Sequence, residues 1–420
     1  MSSNPSSSSS ATAVQQQQEL LVAADKQQDD EDEGELSPPR CEWEFRLAAT
    51  LPSTALPGAS DAIGSVDLDP TGRLLATGGI ARRIRLYDVA SLLLPDADHS
   101  DSAAGPAPAP AACICVPAKL SSVRWRPPAG ASPSPAVGCG DYDGVVTEYD
   151  VERGVAAWER DEHSGRRVWS LDYAPIAGAS SMMAASGSDD RTAHVWDPRS
   201  PSAGWATARA GGAVLCVEFD PSGAPQLAVG SADRRAAVYD VRALGRGAVA
   251  WMDGHGRAVT YVRWAAPERR LVTSAADGTH RLWEWGSTAT AAAEAREVRS
   301  YSGHASARSF VGMGVWRGPG LVASGSESNH VFVYDLRWAK PIWVHPFLPP
   351  AAAGGGPHGP AAAGDGGFVS AVAWRQGTGD DHDGGALVAG GSDGVLKMFT
   401  CHRRNPPGTD GGDNDASLLL

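Results

Sequence analysis

Hydrophobic and polar positions alternate along most of this chain in short stretches separated by turns. Alternating segments include Val123-Arg-Trp125, Trp169-Ser-Leu171, Val259 to Trp264 and Val369 to Trp374. Each leads to a run of small residues that enters a tight turn, such as Ser186 to Asp190, Gly230 to Asp233 and Gly391 to Asp393. A third segment follows and ends on an aromatic residue and usually an acid: IRLYD (84–88), VTEYD (146–150), AHVWD (193–197), AAVYD (236–240), HRLWE (280–284) and VFVYD (331–335). VLKMF (395–399) is a degenerate seventh copy. Period-two alternation bounded by Gly and Asp predicts strands, not helices. The aromatic positions 87, 149, 196, 239, 283, 334 and 399 lie 62, 47, 43, 44, 51 and 65 residues apart. Apart from the two longest gaps, these spacings approach the roughly 40–45 residues of a four-stranded propeller blade.

The units resemble WD repeats, which implies an all-β, seven-bladed propeller. Two units carry the full polar set of that repeat: His163, Ser186, Asp190 and Trp196, and His255, Thr273, Asp277 and Trp283. In the repeat family such residues form a hydrogen-bonded tetrad, since buried polar groups need partners. We therefore read His163 and His255 as structural, not as catalytic bases or metal ligands. Ala81 in the first unit and Ser328 in the sixth replace the turn Asp, so those tetrads are expected to be broken. A propeller must close or leave a sheet edge unpaired. Residues 42–50 alternate ahead of the first unit and are predicted to supply the outer strand of the seventh blade. The organisation expected is a disordered segment 1–40, a propeller 41–402 with insertions at 97–112 and 349–367, and a flexible tail 403–420.

Composition sharpens this picture. Residues 1–40 are rich in Ser, Gln and acids, and cannot bury enough apolar surface to order themselves. The 49 Gly and 30 Pro among 420 residues favour turns and argue against a helical bundle. The formal charge is −13, of which −6 lies in residues 1–40 with eight acids and two bases, leaving −7 for the rest. An acidic chain suits broad nucleic-acid binding poorly, so no nucleic-acid partner is expected. No apolar run approaches the ~20 residues of a membrane helix, and no secretory signal is evident, so no membrane partner is expected. The six Cys form no CxxC pair and are read as reduced thiols of an intracellular protein, which also excludes a zinc-bound RING module. No GxSxG elbow, phosphate loop or HExxH motif is present, so neither an enzyme, a metal nor a cofactor is expected.

Binding is expected on the two faces of the ring. Loops before each inner strand, and turns between second and third strands, open on one face, called upper here. They carry Lys119, Tyr142, Arg166, Arg167, Trp169, Arg234, Arg235, Arg257, Arg308 and Phe310. Cations interleaved with aromatics over a concave centre suit an extended peptide with acidic flanks and a small apolar anchor. On the lower face, Asp197 with Arg199 and Asp240 with Arg242 close the stretches 185–199 and 228–242. Both match the WDxR box of receptors that dock on the damaged-DNA-binding adaptor of cullin 4 ligases. Val333-Tyr-Asp-Leu-Arg337 matches at its end only. Such an Arg can equally cap its own blade.

The stretches 230–242, 254–264, 303–335 and 366–375 resemble the propeller of the plant constitutive photomorphogenic ubiquitin ligase. The stretches 60–93, 117–127, 140–150 and 159–173 are closer still to the Repressor of UV-B photomorphogenesis proteins, plant WD-repeat proteins that lack the ligase's RING and coiled coil. The resemblance covers roughly residues 41–400. It implies a negative regulator that binds the UV-B photoreceptor, competes with the ligase for it and promotes its return from active monomer to inactive dimer. It implies links to that ligase and to cullin 4 ligases, and a location in nucleus and cytoplasm. The ligase propeller captures Val-Pro peptides. Its pocket residues carry over as Lys119, Tyr142, Arg167, Trp169 and Phe310, whereas Arg234 stands where the ligase has His and Arg257 where it has Lys.

Overall fold

In the computed structural model, residues 42–404 are described, apart from 55–58, 94–107, 129–133, 176–181, 201–205, 267–268, 287–292, 309, 348–366 and 377–383. The expected disordered segment, most of both insertions and nearly all of the tail lie outside the described residues. The strands form seven antiparallel sheets arranged as the blades of a propeller. Inner strands run Ile63–Leu68, Leu120–Arg126, Val168–Pro175, Val214–Phe219, Val259–Ala265, Met313–Trp316 and Val369–Arg375 in blades 1 to 7. They place Leu171, Val217, Val262, Val369 and their equivalents in the interior, where burial of apolar surface holds adjacent blades together.

The ring closes as the alternation predicts. Trp43–Leu51 pairs antiparallel with Leu396–Arg403 as the outer strand of blade 7, with Trp43 opposite Arg403 and Leu51 opposite Leu396. That last strand runs one residue into the predicted tail. The outer strand of blade 1, Ala112–Cys115, likewise begins on the last residue of the predicted insertion. One strand was not expected: Ala293–Glu294 joins the outer edge of blade 4 in parallel, with Ala250 opposite Ala293.

Blades are locked to their neighbours by polar contacts at repeating inner-strand positions. The carboxylates of Asp67, Asp172 and Glu218 accept the backbone N–H of Trp125, Phe219 and Trp264 in the following blade, at 2.8, 2.8 and 2.7 Å. The indole N–H of Trp125 and Trp264 donates back to the carbonyls of Asp67 and Glu218, at 3.2 and 3.0 Å. Each of the seven turns between second and third strands contains a left-handed residue: Arg82, Gly144, Arg191, Arg234, Gly278, Asn329 and Gly394. Three of these are Arg, where Gly would adopt the conformation without strain.

The tetrads are not uniform. In blade 5, His255 Nδ1 bonds Asp277 at 3.0 Å and Nε2 bonds Thr273 at 2.6 Å, while Trp283 Nε1 donates to the same Thr273 hydroxyl at 2.8 Å. In blade 3, His163 bonds Asp190 at 2.7 Å and Ser186 at 2.8 Å, but buried Trp196 Nε1 has no hydrogen-bond partner. The expectation of two complete tetrads is thus corrected to one. The cause is local packing: His194 stacks on His163 with centroids 4.4 Å apart, and a gap of about 10 Å³ lined by both rings, Ser186 and Trp196 keeps the indole from the hydroxyl. The atoms of His163, Asp190 and His194 lie within 4.8 Å of one another, close enough to hold a metal, but both nitrogens of His163 are already engaged within the tetrad.

Blade 1 lacks its turn Asp but is not untied. Asp61 lies in the entry loop and forms a buried ion pair of 2.6 Å with Arg85. In blade 6, His304 Nδ1 bonds the Tyr334 hydroxyl at 3.0 Å, while the Ser326 and Ser328 hydroxyls bond each other.

Candidate functional site

Four of the upper-face residues singled out in the sequence form one continuous stack over the mouth of the axial channel. The Arg167 guanidinium lies 3.9 Å from the Tyr142 ring centroid and 4.5 Å from that of Trp169. Trp169 in turn stacks on Phe310, with centroids 4.6 Å apart and planes at 26°. Tyr142 belongs to blade 2, Arg167 and Trp169 to blade 3, and Phe310 to blade 6, so the stack bridges blades that are not neighbours. Cation–π and offset aromatic geometry both favour such a ladder.

Local structure explains the placement. Trp169 occupies the second position of its inner strand, at a register shift between Val168 and Ser170, and is half-buried at the channel rim. Its indole N–H donates to Asp189 Oδ1 at 2.6 Å, and the Asp189 backbone N–H donates to the Arg167 carbonyl at 3.1 Å. Asp189 therefore holds both the ring and the segment that carries the cation. Sequence reasoning missed it, although Asp189 stands beside the tetrad residue Asp190 in the same turn.

Lys119 is exposed beside this stack, and its carbonyl accepts the Tyr142 N–H at 3.0 Å. Arg257 is exposed on blade 5 and reaches the Ala307 carbonyl at 3.5 Å, next to Arg308. Arg234 is exposed on the blade 4 turn with φ of 76° and takes no part in the stack. Its neighbour Arg235 is paired with Asp253 at 2.7 Å. The structure thus joins Tyr142, Arg167, Trp169 and Phe310 directly, sets Lys119 at their edge, and leaves Arg234 and Arg257 further out on the same side of the ring.

Beneath the stack lies a channel chamber of about 260 Å³ lined by Tyr142, Trp169, Phe310, Leu120, Leu215 and Met313, among others. It continues into a second chamber of about 390 Å³ containing Asp67, Arg124, Asp172, Glu218, Arg263 and Arg317. Burial pushes the Asp172 carboxyl up to about 6, against the opposing pull of Arg124, and raises Asp67 in the same way.

On the opposite rim, each WDxR arginine forks onto its own aspartate. Arg199 donates to Asp197 at 3.1 and 2.8 Å, and Arg242 to Asp240 at 2.9 and 2.6 Å. These hydrogen bonds hold the Asp197 and Asp240 carboxyls below the usual carboxylate range. Arg337 repeats the fork on Asp335 and also reaches Glu42 at 2.9 Å.

The blade geometry and repeated turns make this a seven-bladed WD-repeat β-propeller, and residues 50–88, 157–197 and 248–284 match the family model "WD domain, G-beta repeat". The chain is 46% identical over 364 residues to WD repeat-containing protein RUP1 of Arabidopsis thaliana, covering 86% of each chain. It is 46% identical over 355 residues to RUP2 of the same plant, covering 82% of this chain and 89% of that one. Similarity to the Arabidopsis E3 ubiquitin-protein ligase COP1 is 28% over 343 residues, 81% of this chain but 45% of the ligase. Within the WD-repeat class, the chain belongs to the Repressor of UV-B photomorphogenesis family.

Proposed function

We propose that the protein is a non-enzymatic regulator that binds the plant UV-B photoreceptor, grips a Val-Pro-type tail peptide on its upper face, promotes the receptor's return to the inactive dimer and so represses UV-B signalling. The observation that carries this reading is the Tyr142–Arg167–Trp169–Phe310 stack over the channel mouth. A rigid aromatic platform suits a small apolar anchor at low entropic cost, and in this reading Lys119, Arg167, Arg234 and Arg257 meet flanking carboxylates. Competition with the constitutive photomorphogenic ligase follows if both read the same tail, in nucleus and cytoplasm alike. The test is recovery of the receptor dimer after UV-B. Added protein should speed recovery and Trp169→Ala should not; equal acceleration by the variant would refute this use of the face.

A second reading is a substrate receptor of a cullin 4 ligase that docks through Arg199 and Arg242. It is favoured by the repetition of one forked, exposed arginine on two adjacent blades. The double variant Arg199→Ala, Arg242→Ala should lose co-purification with the damaged-DNA-binding adaptor while keeping peptide affinity. Retained co-purification would leave these arginines as caps of their own blades.

A further inference from the structure

The channel holds a ring of charge at one repeating inner-strand position: Asp67, Arg124, Asp172, Glu218 and Arg263 in blades 1 to 5. Four of the five are matched. Arg124 bonds Asp67 at 3.0 Å and Asp172 at 3.3 Å. Glu218 takes Arg317 at 3.3 Å on one oxygen and the Trp264 N–H at 2.7 Å on the other. Arg263 forms no close ion pair among the described residues, although the Glu218 carboxylate nearby favours its charge. Its Nη1 donates to the Val262 carbonyl at 2.8 Å and touches Cys216 Sγ at 3.2 Å, both in the channel wall. A guanidinium withdrawn from bulk water ordinarily pairs with an anion, because desolvation of an unmatched charge is costly.

Arg263 also lines the upper chamber, below the Trp169–Phe310 pair. The walls above it are mixed, with apolar side chains contributed by Leu120, Leu215 and Met313. Two serine hydroxyls there are already engaged: Ser170 bonds the Val217 backbone, and Ser370 bonds the Gly390 carbonyl. The chamber thus offers apolar contacts and, in Arg263, a cation with no ion pair among the described residues, with Arg308 also in its lining. A cavity of roughly 150 Å³ admits benzene, so about 260 Å³ leaves room for a ring and a carboxylate.

We propose that the upper channel chamber is a binding site for a small aromatic or cyclic monocarboxylic acid, whose carboxylate pairs with Arg263 and whose ring packs against Leu215 and Met313. Polyanions do not suit the site, since the carboxylates of Asp67, Asp172 and Glu218 lie just below. The chamber lies directly beneath the peptide surface and shares Tyr142, Trp169, Arg308 and Phe310 with it, so occupancy below and peptide binding above draw on the same side chains. The proposal does not rest on the photoreceptor reading.

Ligand-observed saturation-transfer NMR on the full chain tests it, with benzoate as probe and benzamide as its neutral isostere. Benzoate should bind saturably at millimolar concentration and about tenfold or more tighter than benzamide, the worth of one charge-assisted pair. Arg263→Gln should remove that preference, and Arg263→Lys should keep part of it. Leu215→Trp should fill the chamber and abolish benzoate binding with Arg263 intact, which covers the case in which Arg263→Gln does not fold. No saturable benzoate signal, equal affinity for benzamide in the wild-type protein, or unchanged binding in Leu215→Trp would each overturn the assignment. Affinity for a Val-Pro peptide, measured separately, reports on the other reading alone.

Discussion

Single side chains decide how well the upper face is set. Trp169 has freedom about two torsions, and the 2.6 Å bond from its indole to Asp189 removes it. Asp189→Ala should therefore weaken Val-Pro peptide binding by about 1 kcal/mol, the order of one hydrogen bond. Asp189→Asn, which keeps an acceptor, should restore most of that loss in a calorimetric titration; equal weakening by both would assign the effect to charge. The cation–aromatic face was legible from loop positions alone, because the repeat fixes which loops share a face. Asp189 was not: of two adjacent acids in one turn, the sequence does not show which faces the tetrad and which the channel mouth. The same limit hid Arg263, whose lack of an ion pair among the described residues emerges only when its neighbours' pairings are known. Thr273 makes a comparable point in the interior. Its hydroxyl serves both His255 and Trp283, so Thr273→Val should cost about 2–3 kcal/mol in urea unfolding by stranding two buried polar groups. Ser186→Ala should cost less, since it strands His163 alone.

At the scale of the blade, the strand pattern gave each unit its type, and the repeat gave its order. What it did not give is how a blade without its tetrad is held. Ala81 marks blade 1 as broken, yet Asp61 and Arg85 replace the missing tie with an ion pair whose side chains are 3% and 11% exposed. No motif joins a loop acid to a strand cation 24 residues away, so this substitution is visible only in three dimensions. Removing one partner of a buried pair costs more than removing both. Asp61→Leu should lower stability by about 3–5 kcal/mol, and adding Arg85→Met should recover a large part of it. A double variant less stable than Asp61→Leu would contradict the role given to the pair. The indole of Trp196 is the opposite case: the sequence supplies every tetrad residue, but the neighbouring His194 and a small gap prevent the last bond.

At the scale of the whole ring, closure was readable because residues 42–50 alternate in the right phase, and their pairing with 396–403 closes the ring by completing blade 7 with its outer strand. The parallel strand at 293–294 was not readable, being two residues long and defined only by its contact with blade 4. The fold also stores a pH dependence. Burial lowers His194 and His304 to about 4 and holds His280 well below its ordinary value, the last stacked 3.9 Å from His304 with neither nitrogen bonded. In the unfolded chain these rings protonate near 6.5, so between about pH 6.5 and 4 the unfolded state binds more protons and stability falls as pH falls. Asp172, raised to about 6, works in the opposite sense over part of that window and offsets one ring. Urea midpoints should drop from pH 7 to pH 5, and His304→Gln should flatten the drop; a midpoint that rises toward pH 5 would contradict this balance. The central claim concerns what the assembled ring holds at its mouth. Its most direct test is calorimetric titration of the full chain with a Val-Pro peptide from the UV-B photoreceptor tail, beside the same peptide with Val-Pro replaced by Ala-Ala. The account predicts binding of the first peptide, none of the second, and a loss of about 2 kcal/mol or more in Trp169→Ala, the magnitude of a hot spot. Equal binding of the two peptides, or a Trp169→Ala variant as tight as wild type, would contradict it.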